Sequence, residues 1–409
     1  MRKFLFPALG LLLALPVAAA AFVAGALVSD VPPVLSLLAL VGAALVALLG
    51  ARLGRLGPRP GGAVVAVALL LTVSAGLYTF GPSLGSLPAA EPSQFWELPT
   101  GSRLAYTAVK AQGPRRDTPV VLLHGGPGTP GDGPGDLGAA LAAEGFDVYA
   151  YDQLGGGAST RLADPTGYTV DRQLADLEAV RQRLGAERVV LVGGSWGATL
   201  AAEYLAAHPE HVAAAVFVSP GAIWTPQWRD SGEGDIWDRL TPAQQAQVDE
   251  LEASPKLAAW SVLMGVNPRA AHALVPDAEL DAVFDRLLSV AAPAATCHPD
   301  RPVTAPSARP GFYVNQLTSA DQDTRPDPRP ALRRVSVPAL VLRGQCDYKR
   351  WEIAREYRET IPGARMLWIP DAGHVIEFEQ PRVYREAIVG FLTGRPLPLP
   401  DYTGTEAPA

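Results

Sequence analysis

The run Gly193-Gly194-Ser195-Trp196-Gly197 constrains this chain most, because it follows the apolar stretch Val189-Val190-Leu191-Val192 and precedes the helical stretch Ala198 to Ala207. A serine with glycine two residues away on either side, at a strand-to-helix junction, sits in a tight turn that lifts its hydroxyl above a sheet. The residue types follow from that geometry. The turn is strained, and side chains at the flanking positions would collide with the neighbouring strand and helix. A glycine-rich turn that only closes a strand, or a nucleotide loop, is the rival explanation. It loses on spacing: G-x-G-x-x-G is lacking, and no Gly-Lys-Ser/Thr follows to make a phosphate loop.

The chain has 409 residues, and residues 1–80 differ sharply in composition from the rest. Three uncharged apolar stretches, 4–28, 34–50 and 63–80, each approach the roughly 20 residues that cross a bilayer core. Three such stretches in succession with almost no polar face argue against buried core helices. Arg2 and Lys3 precede the first stretch, the turn 29–33 carries no cation, and the next loop holds Arg52, Arg55 and Arg59. The bias of cations toward the cytoplasm then places the amino terminus and the Arg-rich loop inside, and everything after about Gly81 outside. A cleaved signal peptide competes for the first stretch, and it leaves the later residues outside all the same. Cys297 and Cys346 are free to pair in an oxidising compartment; otherwise they are two small apolar residues, and the sequence leaves both open. A net charge of −7 and the lack of a basic stripe interleaved with aromatics argue against a nucleic-acid partner.

Residues 81–95 read as a tether rich in Gly, Pro and Ser. From Trp96 onward, apolar runs alternate with amphipathic ones. Strands are predicted at 103–110, 119–124, 146–152, 188–194, 211–219, 338–343 and 364–369, and helices at 170–184, 196–208 and 382–393. Such alternation builds a mainly parallel sheet covered on both faces by helices. Residues 96–220 and 335–393 thus form an α/β core. Residues 221–334 form a helical insertion with helices predicted at 242–253 and 277–291, acting as a lid over the strand ends where open α/β sheets keep their sites. Residues 394–409, with prolines at 396, 398 and 400, read as an unstructured tail.

A serine hydroxyl at its ordinary pKa is a poor nucleophile, so Ser195 needs a base and the base needs an orienting carboxylate. In the α/β-hydrolase fold these follow the serine in the order acid, then histidine. His374, just past the last predicted strand in Pro370-Asp371-Ala372-Gly373-His374, is the best base. His208 and His211 suit a helix end better than a metal pair, since no further ligand lies nearby. Asp347 is the carboxylate, at the end of the strand before that of the histidine. Asp371, three residues before His374, belongs to the turn. Trp196, after the nucleophile, supplies one N–H to the oxyanion, and the loop His124-Gly125-Gly126-Pro127-Gly128 supplies the other from Gly125 or Gly126.

Taken with Asp152-Gln153-Leu154-Gly155-Gly156-Gly157-Ala158-Ser159, this HGGPG loop and the GGSWG turn resemble the proline iminopeptidase family of α/β-hydrolases. The resemblance covers about Trp96 to Thr393 and not the apolar segment. It implies a lidded serine aminopeptidase, acting without metal or cofactor, that removes an amino-terminal residue, often proline, from small peptides. Leu154 and Ala158 stand where arginines are common in the family. The family's lid glutamates hold the substrate ammonium, and Glu233, Asp235 and Asp238 are the candidates here, with Gly125 beside the bound substrate. Two rival readings remain: an esterase, lactonase or amidase acting on small acyl substrates with the same triad, and a membrane sensor that only binds its ligand. A reporter fused after Phe80 is expected to show activity of an extracytoplasmic enzyme such as alkaline phosphatase. Activity of a strictly cytoplasmic reporter there would overturn the external placement.

Overall fold

The runs Val120–Leu123 (β3), Val189–Gly194 (β5), Val212–Val218 (β6) and Ala339–Gly344 (β7) lack polar alternation, and nearly every residue in them is buried. Strands covered by helices on both faces require this. With Gln94–Glu97 (β1), Arg103–Val109 (β2), Val148–Tyr151 (β4) and Arg365–Ile369 (β8) they form an eight-stranded sheet in the order β1-β2-β4-β3-β5-β6-β7-β8. β1 and β2 pair antiparallel, as do β2 and β4, and every other pair is parallel. The computed structural model describes residues 1–88, 94–228, 234–301 and 309–408.

Contacts divide the chain into two compact units. The larger, residues 87–163, 167–247 and 281–409, contains the sheet. Gly135–Ala143 (α4) and Pro381–Thr393 (α15) bury Leu137, Leu141 and Ile388 with Val120, Val148, Val192, Val216, Leu340 and Leu367 of the strands. Trp196–Ala207 (α6) is buried almost all round, as an apolar helix without a polar face must be, while the amphipathic Val170–Arg183 (α5) and Trp351–Thr360 (α13) each turn one face outward. Ile376–Glu379 (α14) is a single turn following the His374 loop. Phe312–Gln322 (α11) and Arg329–Leu332 (α12) return the insertion to β7. The Arg161 guanidinium, at the end of the β4 turn, pairs with buried Asp281 of Asp277–Ala291 (α10) at 2.9 Å and also donates to the carbonyls of Gly157, Ser159 and Arg309.

The smaller unit joins residues 1–86 and 164–166 to residues 248–280 of the insertion. Arg2–Ala26 (α1), Pro32–Leu53 (α2) and Pro58–Phe80 (α3) are long and apolar enough to cross a membrane. They meet through small residues: Ala14, Ala18, Ala39, Ala43, Ala47 and Ala68 are buried together, and a Cβ on Gly50 would lie 2.9 Å from the Gly10 Cα. Close backbone approach of this kind suits helices packed in lipid, and Leu12, Leu45 and Leu70 point outward. Pro242–Glu252 (α7) leads into Pro255–Val266 (α8) and Pro268–Leu274 (α9), whose Leu263, Ala270 and Ala271 are buried with Ala26 and Leu35. Asn267 donates to the Ala26 carbonyl at 2.8 Å. Buried Lys256 pairs with Glu279 at 2.7 Å and donates to the Pro82 carbonyl, so the chain leaving α3 is captured by the insertion. Expected as one lid over 221–334, the insertion is instead shared between the two units.

The terminal segment also departs from expectation. Gly394, left-handed at φ 73°, ends α15; Leu397 and Leu399 then pack on the core that α4 and α15 cover, and residues 401–405 run along β8 and α13. Tyr402 donates its N–H to the Met366 carbonyl at 2.7 Å, packs edge-on against Trp351, and is flanked by the Arg365–Asp401 ion pair. The prolines preset an extended backbone that covers part of an edge strand; Tyr402 and Asp401 hold it there.

Candidate active site

Ser195 lies at φ 52° and ψ −118°, a region costly to any residue but glycine and held here by its surroundings. Its N–H donates to the Val218 carbonyl of β6 at 2.9 Å, and its own carbonyl accepts from Gly221 and Ala198 at 3.0 Å each. A Cβ on Gly193 would run into the Gly197 carbonyl, and one on Gly197 into that of Leu123, while Gly194 faces open space. The requirement for glycine therefore falls on the two residues flanking Ser195 at a distance of two.

Parallel pairing sets Leu123 opposite Gly193, so the loop after β3 and the turn after β5 leave the sheet side by side, where the strand order reverses. A Cβ on Gly125 would lie 3.3 Å from that of Ser195, which places the backbone of this loop against the serine. Gly126 is left-handed at φ 108°, and its bond to Pro127 is cis. Trp196 opens α6, where first-turn N–H groups have no partner within the helix. Gly126 and Trp196 thus stand on adjacent segments, as the oxyanion assignment requires.

β8 is parallel to β5, so His374 emerges at the same carboxyl edge as Ser195. His374 Nδ1 donates to Asp347 Oδ1 at 2.8 Å, which leaves the Nε2 lone pair free to take a proton. Asp347 is 8 % exposed and forms an ion pair with the buried Arg343 through Oδ2 at 2.8 Å; the Lys349 N–H donates to Oδ1 at 3.0 Å. Asp371 is exposed in the turn, as expected, with its N–H on Gln345. His374 is anchored by its N–H on the Ala295 carbonyl at 2.7 Å and by the Tyr348 ring at 4.4 Å.

Cys297 and Cys346 are joined as a disulfide with Cα atoms 5.1 Å apart. The bridge ties the residue before Asp347 to the stretch whose Ala295 carbonyl holds His374. Of the proposed ammonium ligands, Glu233 lies outside the described residues. Asp235 and Asp238 are exposed, and Asp235 caps a short turn through the Trp237 N–H.

Arg343, Tyr348 and Lys349 escaped the sequence reading. Arg343 carried a signal, a charge closing an otherwise apolar strand four residues before Asp347; Tyr348 and Lys349 carried none. Burial, and then the Lys349 ammonium, push His374 well below the ordinary histidine value, so the imidazole is neutral near pH 7. Burial lowers the pKa of Lys349 as well.

Residues 118–381 match the family model for the α/β-hydrolase fold, and the chain belongs to that family. It is 39% identical over 137 residues to a proline iminopeptidase of Heyndrickxia coagulans, a match spanning 34% of this chain and 46% of the relative. It is 23% identical over 294 residues to the proline iminopeptidase of Flavobacterium johnsoniae, covering 69% of this chain and 92% of that one. Among solved structures, an α/β-hydrolase enzyme from a Medee basin deep-sea metagenome library shares the fold at TM-score 0.50 and 18% identity, over 76% of this chain and all of that one.

A histidine with a lowered pKa loses its neutral form only as pH falls through that lowered value. The acid limb of kcat/KM is therefore expected below the ordinary histidine value of about 6.5. Lys349→Met removes a cation that disfavours the imidazolium, so the limb should move to higher pH with little change at pH 8. A limb that stays in place would show that Lys349 does not act on His374.

Proposed function

We propose that this α/β-hydrolase is a membrane-anchored serine hydrolase with its catalytic unit outside the cytoplasm, releasing an amino-terminal proline or another small residue from short peptides. The observation that carries the proposal is the Asp347–His374 pair at the carboxyl edge from which Ser195 is presented at positive φ. Ser195 Oγ attacks the scissile carbonyl while His374 Nε2 takes its proton. Asp347, held by Arg343, keeps the imidazole oriented and stabilises the imidazolium that forms. The Trp196 and Gly126 N–H groups receive the oxyanion. His374 then passes the proton to the leaving amine, and water, activated by the same imidazole, releases the acyl group from Ser195. The likeness to proline iminopeptidases supports the choice of bond. The apolar helices and the Cys297–Cys346 disulfide support external placement, since disulfides persist in oxidising compartments.

One observation favours a second reading, an esterase or amidase on small acyl substrates. Asp235 and Asp238, expected to receive a substrate ammonium, are exposed, and the Lys349 ammonium acts on His374, whereas an aminopeptidase needs carboxylates at that place. Prolyl and alanyl arylamides tested against short-chain nitrophenyl esters would separate the two. The aminopeptidase reading predicts faster turnover of prolyl arylamide, with Ser195→Ala lowering kcat/KM by at least about 10⁴-fold. Fast ester turnover with no arylamide turnover would favour the second reading, and unaltered turnover by Ser195→Ala would refute both.

A further inference from the structure

Gln153 is fully buried in the turn after β4, yet each polar atom it carries toward the site is in use. Its backbone N–H donates to His124 Nε2 at 2.8 Å, and its side-chain Nε2 donates to the His124 carbonyl at 2.9 Å. Its Oε1 accepts from the Trp196 indole Nε1 at 2.8 Å. His124 closes the set by donating from Nδ1 to the Gly125 carbonyl at 2.9 Å, which leaves Nε2 as the acceptor that Gln153 needs. Burial pushes His124 down to about 4, in keeping with a neutral ring that accepts. On the far side of the same loop, Asn315 of α11 donates to the Pro127 carbonyl at 2.9 Å and the Gly311 N–H to that of Gly128 at 2.8 Å.

The two segments that Gln153 bridges carry the two oxyanion donors. One is the β3 end that runs into Gly125 and Gly126; the other is the first residue of α6. Their N–H groups belong to separate pieces of backbone, and only a fixed distance between the pieces lets both donors reach one oxygen. An amide fits this place and its neighbours in chemistry do not: a carboxylate would set oxygen against the His124 carbonyl, and an apolar side chain would leave both the carbonyl and the indole N–H without partners. We infer that Gln153 is a positioning residue for the oxyanion hole, holding the Gly126 loop and the Trp196 turn in register through His124 and the indole. The inference rests on the serine-hydrolase reading above.

The test uses the full chain in detergent or nanodiscs, with p-nitrophenyl acetate as substrate and a fluorophosphonate as the reagent whose phosphoryl oxygen enters the same hole. Gln153→Met is expected to lower kcat by about 10- to 100-fold, short of the loss of a whole donor, with KM changed less than about twofold. The rate of phosphonylation should fall in parallel. Gln153→Glu keeps the volume and the acceptor for the indole, so it carries the test should Gln153→Met fail to fold, and a similar fall is expected from it. Trp196→Phe, which removes the indole N–H and keeps the backbone donor, should give a smaller fall in the same direction. A folded Gln153 variant that keeps kcat and phosphonylation within about twofold of the wild type would overturn the inference, as would a loss confined to KM. A wild-type protein that does not react with the fluorophosphonate at all would instead remove the serine-hydrolase reading beneath it.

Discussion

The parallel register of β3 against β5, with Leu123 opposite Gly193, is the constraint on which the rest of the site depends. It makes two loops leave the sheet together at the point where strand order reverses, and such points leave a crevice at the carboxyl edge. One loop brings glycine backbone against Ser195; the other forces Ser195 into positive φ. Both conformations are tolerable because the register supplies close neighbours: Gly193, Gly197 and Gly125 each sit where a side chain would press on another segment.

The Asp347–His374 pair depends on a different kind of support. Asp347 and Arg343 are buried together, and a buried charge pair is stabilising only when its remaining polar groups are satisfied. Here the guanidinium also donates to the carbonyls of Gly344 and Lys349, and Oδ1 of the carboxylate accepts from the Lys349 N–H and from His374, while Arg343 Nε and Asp347 Oδ2 have no hydrogen-bond partner among the described residues and are held by the ion pair alone. The disulfide fastens the same loop to the stretch that anchors His374. Position and charge are thereby fixed together, as the general-base role proposed for His374 requires.

Most of the fold was legible because periodicity and glycine spacing are local signals. The strands from β2 to β8 fall within a residue or two of their expected places, and α10 coincides with its expected span. Ser195, Asp347 and His374 were expected from their order and from their places at strand ends, and the structure joins His374 to Asp347. What escaped depends on partners far away in sequence. The tail is ordered by Tyr402 against Trp351 and Trp368, aromatics whose meeting no local pattern announces. Likewise, residues 255–274 gave no sign within the expected lid that Asn267 and Lys256 bond the end of α1 and the segment leaving α3. Cys297 and Cys346 could not be paired from spacing, and Glu233 had only its charge to recommend it.

The most direct test of the account is to locate the covalent adduct. Fluorophosphonate-treated protein, digested and sequenced by mass spectrometry, should carry the phosphonyl group on Ser195 alone, with the adduct lost or much reduced in His374→Ala and Asp347→Ala proteins that remain folded. An adduct on another residue, or modification of Ser195 at the same rate without His374, would contradict the triad on which the proposed function rests.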